Sequence, residues 1–181
     1  MNRVLKRGGQ VVAVAGVAGL AALLTWNLTH EPSPARVGGR APDFSLGRLN
    51  GSGTLDLASL HGRPVVINFW ASWCAPCKAE ASTLERLWRE YRRRGVVFVG
   101  VDSNDAASDA RRFLSAHGIT YPAVHDAGGL VAANKYGVAN LPVTYFVDRR
   151  GRLVRVTVLG PVSEKAHADE FRRGVQAAIE S

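Results

Sequence analysis

A pair of cysteines with two residues between them constrains the fold of this 181-residue chain more than any other feature. Cys74 and Cys77 are its only cysteines, and they lie between a buried apolar run, Val65–Trp70, and an amphipathic pattern over Pro76–Arg93. A C-x-x-C pair at a strand-to-helix junction is typical of a redox site. The sequence therefore predicts an α/β domain in which both sulfurs lie at the N-terminus of a helix that follows a buried strand.

The helix N-terminus gives this pair its chemistry. Free N–H groups and the helix dipole stabilise negative charge at that end, so Cys74 is predicted to be the attacking thiolate. Pro76 suits the first helical turn, where a missing N–H is tolerated. Helical spacing brings Cys77 alongside Cys74, where its thiol can resolve a mixed disulfide.

A structural disulfide or a metal site would also use paired cysteines. A disulfide across two residues closes a very small loop and stabilises a fold little. A zinc site needs about four ligands. The chain has no second C-x-x-C, and its histidines are scattered without ligand spacing, at His30, His61, His117, His125 and His167. The sequence therefore favours redox chemistry that uses neither a metal nor a cofactor.

Short apolar runs alternate with helical patterns along the chain. Strands are predicted at Val65–Trp70, Val96–Val101, Pro122–His125, Val143–Val147 and Leu153–Val158, and helices at Pro76–Arg93, Ala107–His117, Leu130–Tyr136 and Glu164–Ile179. Alternation of this kind predicts strands that are parallel in the core of the sheet. Asp105 or Ser108 is predicted to cap the second of these helices.

Turn residues predict hairpins at both ends of the domain. The turn Asp148–Gly151 joins the last two predicted strands, so an antiparallel pair closes the sheet and makes it mixed. Before the core, Phe44–Leu46 and Thr54–Leu57 predict an N-terminal β-hairpin around Asn50-Gly51. The expected architecture is a central mixed sheet flanked by helices.

The first forty residues are predicted to direct the chain to the membrane. Residues 1–9 are basic and residues 10–28 are almost entirely apolar, which is the pattern of an export signal. The apolar stretch reaches the ~18 residues of a membrane-spanning helix, so an uncleaved anchor is favoured over a cleaved signal. Its basic end should remain cytoplasmic. Residues 29–40 are then a linker, and residues 41–181 form the domain on the extracytoplasmic side of the cell membrane.

The positive charge of the chain does not indicate a nucleic-acid partner. The net charge is +8, and part of it lies in the arginine-rich stretch Arg86–Arg94. No nucleic-acid-binding motif and no interleaved aromatic residues accompany this stretch. We interpret it as a solvated helix face.

The segment around the cysteines resembles a known family. Gly62–Glu80 is similar to the corresponding segment of the TlpA/ResA/DsbE (CcmG) group of thioredoxin-like proteins, which are related to the AhpC/TSA and Redoxin proteins. The similarity continues through Val96–Asp102 and Leu141–Thr144 and ends after the turn at Asp148–Gly151. The resemblance implies a thioredoxin-like fold. Members of this group are typically held by one N-terminal helix and face outward.

The resemblance also implies the site. Cys74 would be the nucleophile and Cys77 the resolving thiol of a redox-active disulfide, with Trp73 and Pro76 supporting the motif. Pro142 would be a cis-proline that faces the disulfide, and the backbone beside it would pair with substrate as an added strand.

Two polar residues distinguish the chain from thioredoxin itself. Asn68 stands where thioredoxin has a buried aspartate, and an amide cannot titrate. Glu80 matches an acidic residue near the thiols of ResA-like proteins, and it lies three residues after Cys77 on one helix face. The resemblance implies that Glu80 handles protons for Cys77 in place of the missing aspartate.

The expected activity is that of an extracytoplasmic thiol–disulfide oxidoreductase acting as a disulfide reductase. The resemblance implies a membrane thiol-transfer protein as electron donor and protein disulfides as substrates, with apocytochrome c as an example and cytochrome c maturation or redox homeostasis of exported proteins as the process. The same motif would serve a disulfide-forming oxidase, because the reduction potential decides the direction. Peroxide reduction and copper delivery are weaker alternatives.

Overall fold

A computed structural model of the chain describes residues 16–23, 25 and 35–181. Residues 16–23 and 25 are helical, and we label them α1. The predicted basic segment 1–9 lies outside the described residues, as do much of the predicted span 10–28 and the first half of the predicted linker. Within the described part of the chain, no helix combines the length and the apolar character needed to cross a membrane.

A five-stranded mixed sheet forms the centre of the domain, with the strand order β5-β4-β3-β6-β7. Its strands are β3 (Val65–Trp70), β4 (Val97–Ser103), β5 (Ala123–Asp126), β6 (Val143–Val147) and β7 (Leu153–Leu159). Strands β3, β4 and β5 are parallel, whereas β6 pairs antiparallel with both β3 and β7. The predicted mixed α/β sheet is confirmed. Strand β3 lies at its centre, and every residue of that strand is therefore buried.

Helices cover one face of this sheet. They are α2 (Ala75–Tyr91), α3 (Ala107–Ala116) and α4 (Lys165–Glu180), and their apolar residues share one core cluster, to which Leu84, Phe113 and Phe171 belong. The other face packs on a second cluster that contains Tyr136 and residues of a single π-helical turn, Val131–Lys135. The predicted helices are therefore present, with bounds that differ by one or two residues, and the short predicted one is a π turn.

The segment before β3 runs across both edges of the sheet. It contains a short antiparallel hairpin of β1 (Ser45–Gly47) and β2 (Thr54–Asp56). At one edge, the N–H of Leu49 donates to the carbonyl of Ala123 in β5 at 2.8 Å. At the other edge, the N–H of Leu153 in β7 donates to the carbonyl of Gly39 at 2.8 Å. We call residues 38–50 the strap.

Candidate active site

The two cysteines lie where β3 gives way to α2. Cys74 is the N-cap residue of α2, and its sulfur accepts a hydrogen bond from the N–H of Cys77 at 3.2 Å. Cys74 and Cys77 are joined by a disulfide, with their Cα atoms 5.2 Å apart. Pro76 occupies the first turn of the helix. The N–H of Cys77 in this turn is thus directed at the Cys74 sulfur, where it can stabilise a thiolate when the disulfide opens.

The two sulfurs differ in their surroundings. Cys74 retains 4% of its surface and Cys77 only 1%, so a substrate meets Cys74 first. Trp73 is 60% exposed, and its indole Nε1 donates to the carbonyl of Asn104 at 3.1 Å. The exposed indole therefore forms a fixed apolar wall beside Cys74.

A groove with a cavity volume of about 520 Å³ opens beside Cys74. Small or apolar side chains predominate in it, and none of its lining residues carries a charge: Trp73, Cys74, Ala75, Pro76, Ser103, Asn104, Gly128, Gly129, Ala132, Ala133, Val138, Ala139, Asn140 and Leu141. The peptide bond between Leu141 and Pro142 is cis. Pro142 lines a second depression that shares Leu141 with the groove. The structure thus brings the cis-proline segment to the same surface as Cys74.

Glu80 is a wholly buried carboxyl group one turn along α2 from Cys77. It is 1% exposed. Its Oε2 accepts from the N–H of Val162 at 2.8 Å, and its Oε1 accepts from Asn68 Nδ2 at 3.0 Å. Burial raises the pKa of Glu80 from 4.5 to about 7, although these two hydrogen bonds oppose the rise. A carboxyl group that titrates near neutrality can both take up and release a proton there.

Asn68 connects Glu80 to the strand that follows the cis-proline. Its Nδ2 also donates to Thr144 Oγ1 at 3.1 Å, and Thr144 is fully buried. The predicted residues Asn68 and Glu80 are therefore in contact, and they belong to a network with Thr144 and Val162. Sequence patterns did not identify Thr144 or Val162, because a backbone donor and a buried hydroxyl have no sequence signal of their own.

A second buried acidic group, behind the active-site loop, was not identified from the sequence. Asp102 has no exposed surface, and its Oδ2 lies 2.7 Å from His125 Nδ1. Burial, the nearby charges of Asp105 and Asp126 and a hydrogen bond to Asp105 raise the pKa of Asp102 to about 8. Its position could have indicated it, because a charged residue is unusual at the end of a buried strand beside the C-x-x-C.

Asp105 has a different role from the predicted one. The N-cap residue of α3 is Ala106, and no side chain caps this helix. Asp105 Oδ2 instead accepts from the N–H of Ser72 at 2.6 Å, in the loop that leads to Cys74. The capping prediction for Asp105 and Ser108 is therefore wrong, because the loop N–H group competes for the carboxylate.

The described residues contain no cluster of three or more histidine, cysteine or acidic side chains arranged to hold a metal ion. What the site does contain is a C-x-x-C disulfide at a helix N-terminus, a buried carboxyl group near it and a cis-proline segment at its mouth, all on a thioredoxin-like sheet. These features define a thiol–disulfide oxidoreductase of the thioredoxin superfamily.

Comparison with known sequences gives the family within that class. The chain belongs to the AhpC/TSA family, whose profile matches residues 37–156, and within it to the TlpA/ResA/DsbE-like group. It is 33% identical over 143 residues to the thiol-disulfide oxidoreductase ResA of Oceanobacillus iheyensis, covering 77% of this chain and 74% of that protein. It is 34% identical over 146 residues to ResA of Halalkalibacterium halodurans, covering 81% of each.

Comparison with solved structures agrees. A secreted Mycobacterium tuberculosis disulfide oxidoreductase, described as homologous to Escherichia coli DsbE, superimposes with a TM-score of 0.62 at 28% identity. The match covers 74% of this chain and 95% of that one. The predicted membership of the family and the predicted thioredoxin-like fold are both confirmed.

Proposed function

We propose that the chain is an extracytoplasmic disulfide reductase, held at the cell membrane by residues 10–28, that reduces disulfides of exported proteins. The C-x-x-C of apocytochrome c before haem attachment is its proposed substrate, and cytochrome c maturation its proposed process. The observation that carries this proposal is the buried carboxyl group of Glu80, one helical turn from Cys77 and hydrogen-bonded to Asn68.

The mechanism uses Glu80 as a base for Cys77. The Cys74 thiolate attacks one sulfur of the substrate disulfide, forming a mixed disulfide and releasing the other substrate sulfur as a thiolate. Glu80 then takes the proton of Cys77. The Cys77 thiolate attacks Cys74 Sγ, which forms the Cys74–Cys77 disulfide and releases the second substrate thiolate. The substrate gains two electrons and the protein loses two.

A buried thiol needs such a base. Cys77 is 1% exposed, so water cannot readily take its proton. A carboxyl group with a pKa of about 7 is ionised for a large part of the time at neutral pH, and it can return the proton in the next cycle.

The groove supports a peptide substrate. Trp73 and Leu141 line it together with alanine and glycine residues, whose small side chains leave room for an extended chain. The Pro142 carbonyl already accepts from the N–H of Gly160 at 3.1 Å, so the backbone of Leu141, on the groove side, is the part proposed to pair with substrate as an added strand. A segment that carries a disulfide would thus cross Cys74 with its flanking residues in the groove.

Three observations support the location. Residues 1–9 are basic, residues 10–28 are apolar, and one structural relative is described as secreted. A reductase outside the cytoplasm works among oxidants, so it must receive electrons from across the membrane. The proposal therefore includes a membrane thiol-transfer protein as donor.

The reduction potential of the Cys74–Cys77 pair tests the direction. Equilibration of the full chain with dithiothreitol or glutathione buffers should give a value near thioredoxin's, about −270 mV. A value near about −120 mV would assign the protein to the disulfide-forming oxidases instead.

Cell fractionation tests the location separately. The full chain should sediment with membranes, and protease added to spheroplasts should remove the domain without breaking the membrane. A domain that is protected until lysis would place it in the cytoplasm and contradict the proposal.

A further inference from the structure

Three side chains form a connected group behind the loop that leads to Cys74. Asp102 is at the centre, without exposed surface, and its Oδ2 lies 2.7 Å from His125 Nδ1. The side chain of His125 is 21% exposed, so the group reaches solvent on that side. The carboxyl group of Asp105 is a neighbour of Asp102, and the two can share a hydrogen bond when one of them is protonated. We call Asp102, Asp105 and His125 the acid triplet.

The acid triplet holds the active-site loop. Asp105 Oδ2 accepts from the N–H of Ser72 at 2.6 Å, and Asp105 Oδ1 accepts from the N–H of Ala106 at 2.7 Å. One residue earlier, the carbonyl of Asn104 accepts from the indole of Trp73 at 3.1 Å. Both residues that immediately precede Cys74 are therefore fixed by the segment that follows β4.

One proton has to be shared within the acid triplet. Asp102 Oδ1 is buried and has no donor among the described residues, yet its neighbour is the carboxyl group of Asp105. Two carboxyl groups can form a hydrogen bond only when one of them carries a proton. Both oxygens of Asp105 already accept from N–H groups, so the proton belongs on Asp102.

The charges of the surrounding groups also favour a proton on Asp102. The groups that face Asp102 are Asp105 from the loop after β4 and His125 and Asp126 from β5. Burial, these acidic neighbours and a hydrogen bond to Asp105 raise the pKa of Asp102 to about 8. Burial acts on Asp105 too, but hydrogen bonds from Ser72, with further ones from Ala106 and Asp102, hold its pKa below the usual value. Near neutral pH the pair thus carries one negative charge, and a second appears only in alkaline solution.

We propose that Asp102 is a positioning residue of the redox site: its proton binds Asp105, and Asp105 in turn holds the loop at Ser72. Reduction of the Cys74–Cys77 disulfide and proton binding at Asp102 therefore favour each other. Reduction by a dithiol breaks the Cys74–Cys77 bond with two electrons and closes the disulfide of the reagent. Of the two protons the dithiol loses, one stays on the Cys77 thiol and the other is released, which leaves a thiolate on Cys74. Asp105 binds the N–H of Ser72, two residues before Cys74. The new negative charge on Cys74 should therefore oppose a second negative charge on the Asp102–Asp105 pair, because like charges repel each other. The inference rests on the thiol–disulfide chemistry alone and holds for a reductase and an oxidase alike.

The first test uses the unmodified full chain. Its aspartate carboxyl carbons are labelled with ¹³C, and the Asp102 resonance is followed with pH in the oxidised and the dithiol-reduced protein. The expected result is a titration midpoint higher by about half a pH unit or more in the reduced protein, as a nearby unit charge produces at intermediate dielectric. Equal midpoints in both states would overturn the proposal.

The second test uses Asp102→Asn, which keeps an N–H donor for Asp105 and cannot ionise. Redox equilibria with dithiothreitol are measured between about pH 6 and about pH 9.5. The equilibrium constants for reduction of wild type and variant should coincide at the acidic end of this range. At the alkaline end, the constant of wild type should be smaller by roughly threefold. Parallel curves at every pH, including a constant offset from a structural effect, would overturn the proposal.

A matched control is available on α3. Asp109 has a side chain that is 45% exposed and pairs with Arg112. Asp109→Asn removes one negative charge in the same part of the sequence without touching the acid triplet. Its redox equilibrium should follow wild type at every pH, and a divergence like that of Asp102→Asn would show that a distant charge suffices.

Discussion

At the scale of single residues, the site separates two sulfurs that are chemically identical. Cys74 lies at the helix N-terminus beside an open groove, whereas Cys77 is enclosed near a carboxyl group. We therefore expect the environment, and not the residue type, to decide which sulfur attacks and which resolves.

This separation predicts different outcomes for two serine variants. Cys74→Ser should abolish reduction of insulin disulfides, because no accessible thiol remains. Cys77→Ser should leave Cys74 able to attack but unable to release its substrate, so a mixed disulfide accumulates. Non-reducing gels with mass spectrometry of the trapped species would check this. Trapping by Cys74→Ser instead would reverse the assigned roles.

The buried Glu80 predicts a pH-dependent stability. Its pKa is raised from 4.5 in an exposed setting to about 7 in the fold, so the folded protein binds the proton more tightly. The stabilisation is complete below about pH 4.5 and is lost as the pH rises to about 7, by roughly 3 kcal/mol in the free energy of unfolding. Glu80→Gln should lack this loss, because an amide does not titrate.

Urea unfolding of the oxidised protein at several pH values would measure this difference. Asp102 also titrates but is present in both proteins, so the difference between wild type and Glu80→Gln isolates Glu80. Glu90→Gln, at an exposed position of the same helix, is the matched control. If the unfolding free energies of wild type and Glu80→Gln changed in parallel between about pH 4.5 and about pH 7, burial would not raise the pKa of Glu80.

At the scale of elements, α4 packs so closely on β6 that one position excludes a side chain. A Cβ at Gly174 would overlap the ring of Phe146, which is fully buried and packs edge-on against Phe171. Glycine is unfavourable inside helices, so its presence here reflects this close approach.

Gly174→Ala sets helix propensity against packing. Alanine favours the helix by about 1 kcal/mol. Overpacking of a buried ring costs about 1–3 kcal/mol. The second effect is larger, so we expect a net loss of about 1 kcal/mol in unfolding free energy, measured by urea titration. Arg173→Ala, exposed on the same helix, should change stability little, and a stabilised Gly174→Ala would show that the ring can move aside.

At the scale of the whole molecule, a positive chain carries an uncharged groove. The net charge is +8, but no lining residue of the groove is charged. Long-range attraction should therefore act on the approach of a substrate and not on its fit.

Salt should separate these two effects. A peptide disulfide flanked by aspartates should react faster at low salt than one flanked by lysines, by roughly two- to tenfold. The two rates should converge near 1 M salt, where the screening length is about 3 Å. Stopped-flow tryptophan fluorescence would follow both. A preference that persists at high salt would require charged contacts inside the groove.

Sequence patterns predicted the central sheet and its helices because burial and periodicity are local properties. They also indicated Cys74 and Cys77, since a C-x-x-C between a buried strand and a helix is typical of redox sites. The resemblance supplied Glu80 and Pro142. Neither approach found the contact of Asp105 with Ser72, because the partners are 33 residues apart and meet only after β3 and β4 pair. Local propensity favoured Asp105 as a helix cap, but in the folded domain its carboxylate binds the N–H of Ser72 instead.

The strap, residues 38–50, has a consequence for how copies of this protein meet each other. Open sheet edges invite strands from neighbouring molecules and so promote aggregation. Leu49 occupies part of the β5 edge, and Gly39 occupies the start of the β7 edge. At high local concentration the strap thus limits intermolecular β-pairing. Loss of the two edge contacts would expose both edges of the sheet and make the domain prone to self-association.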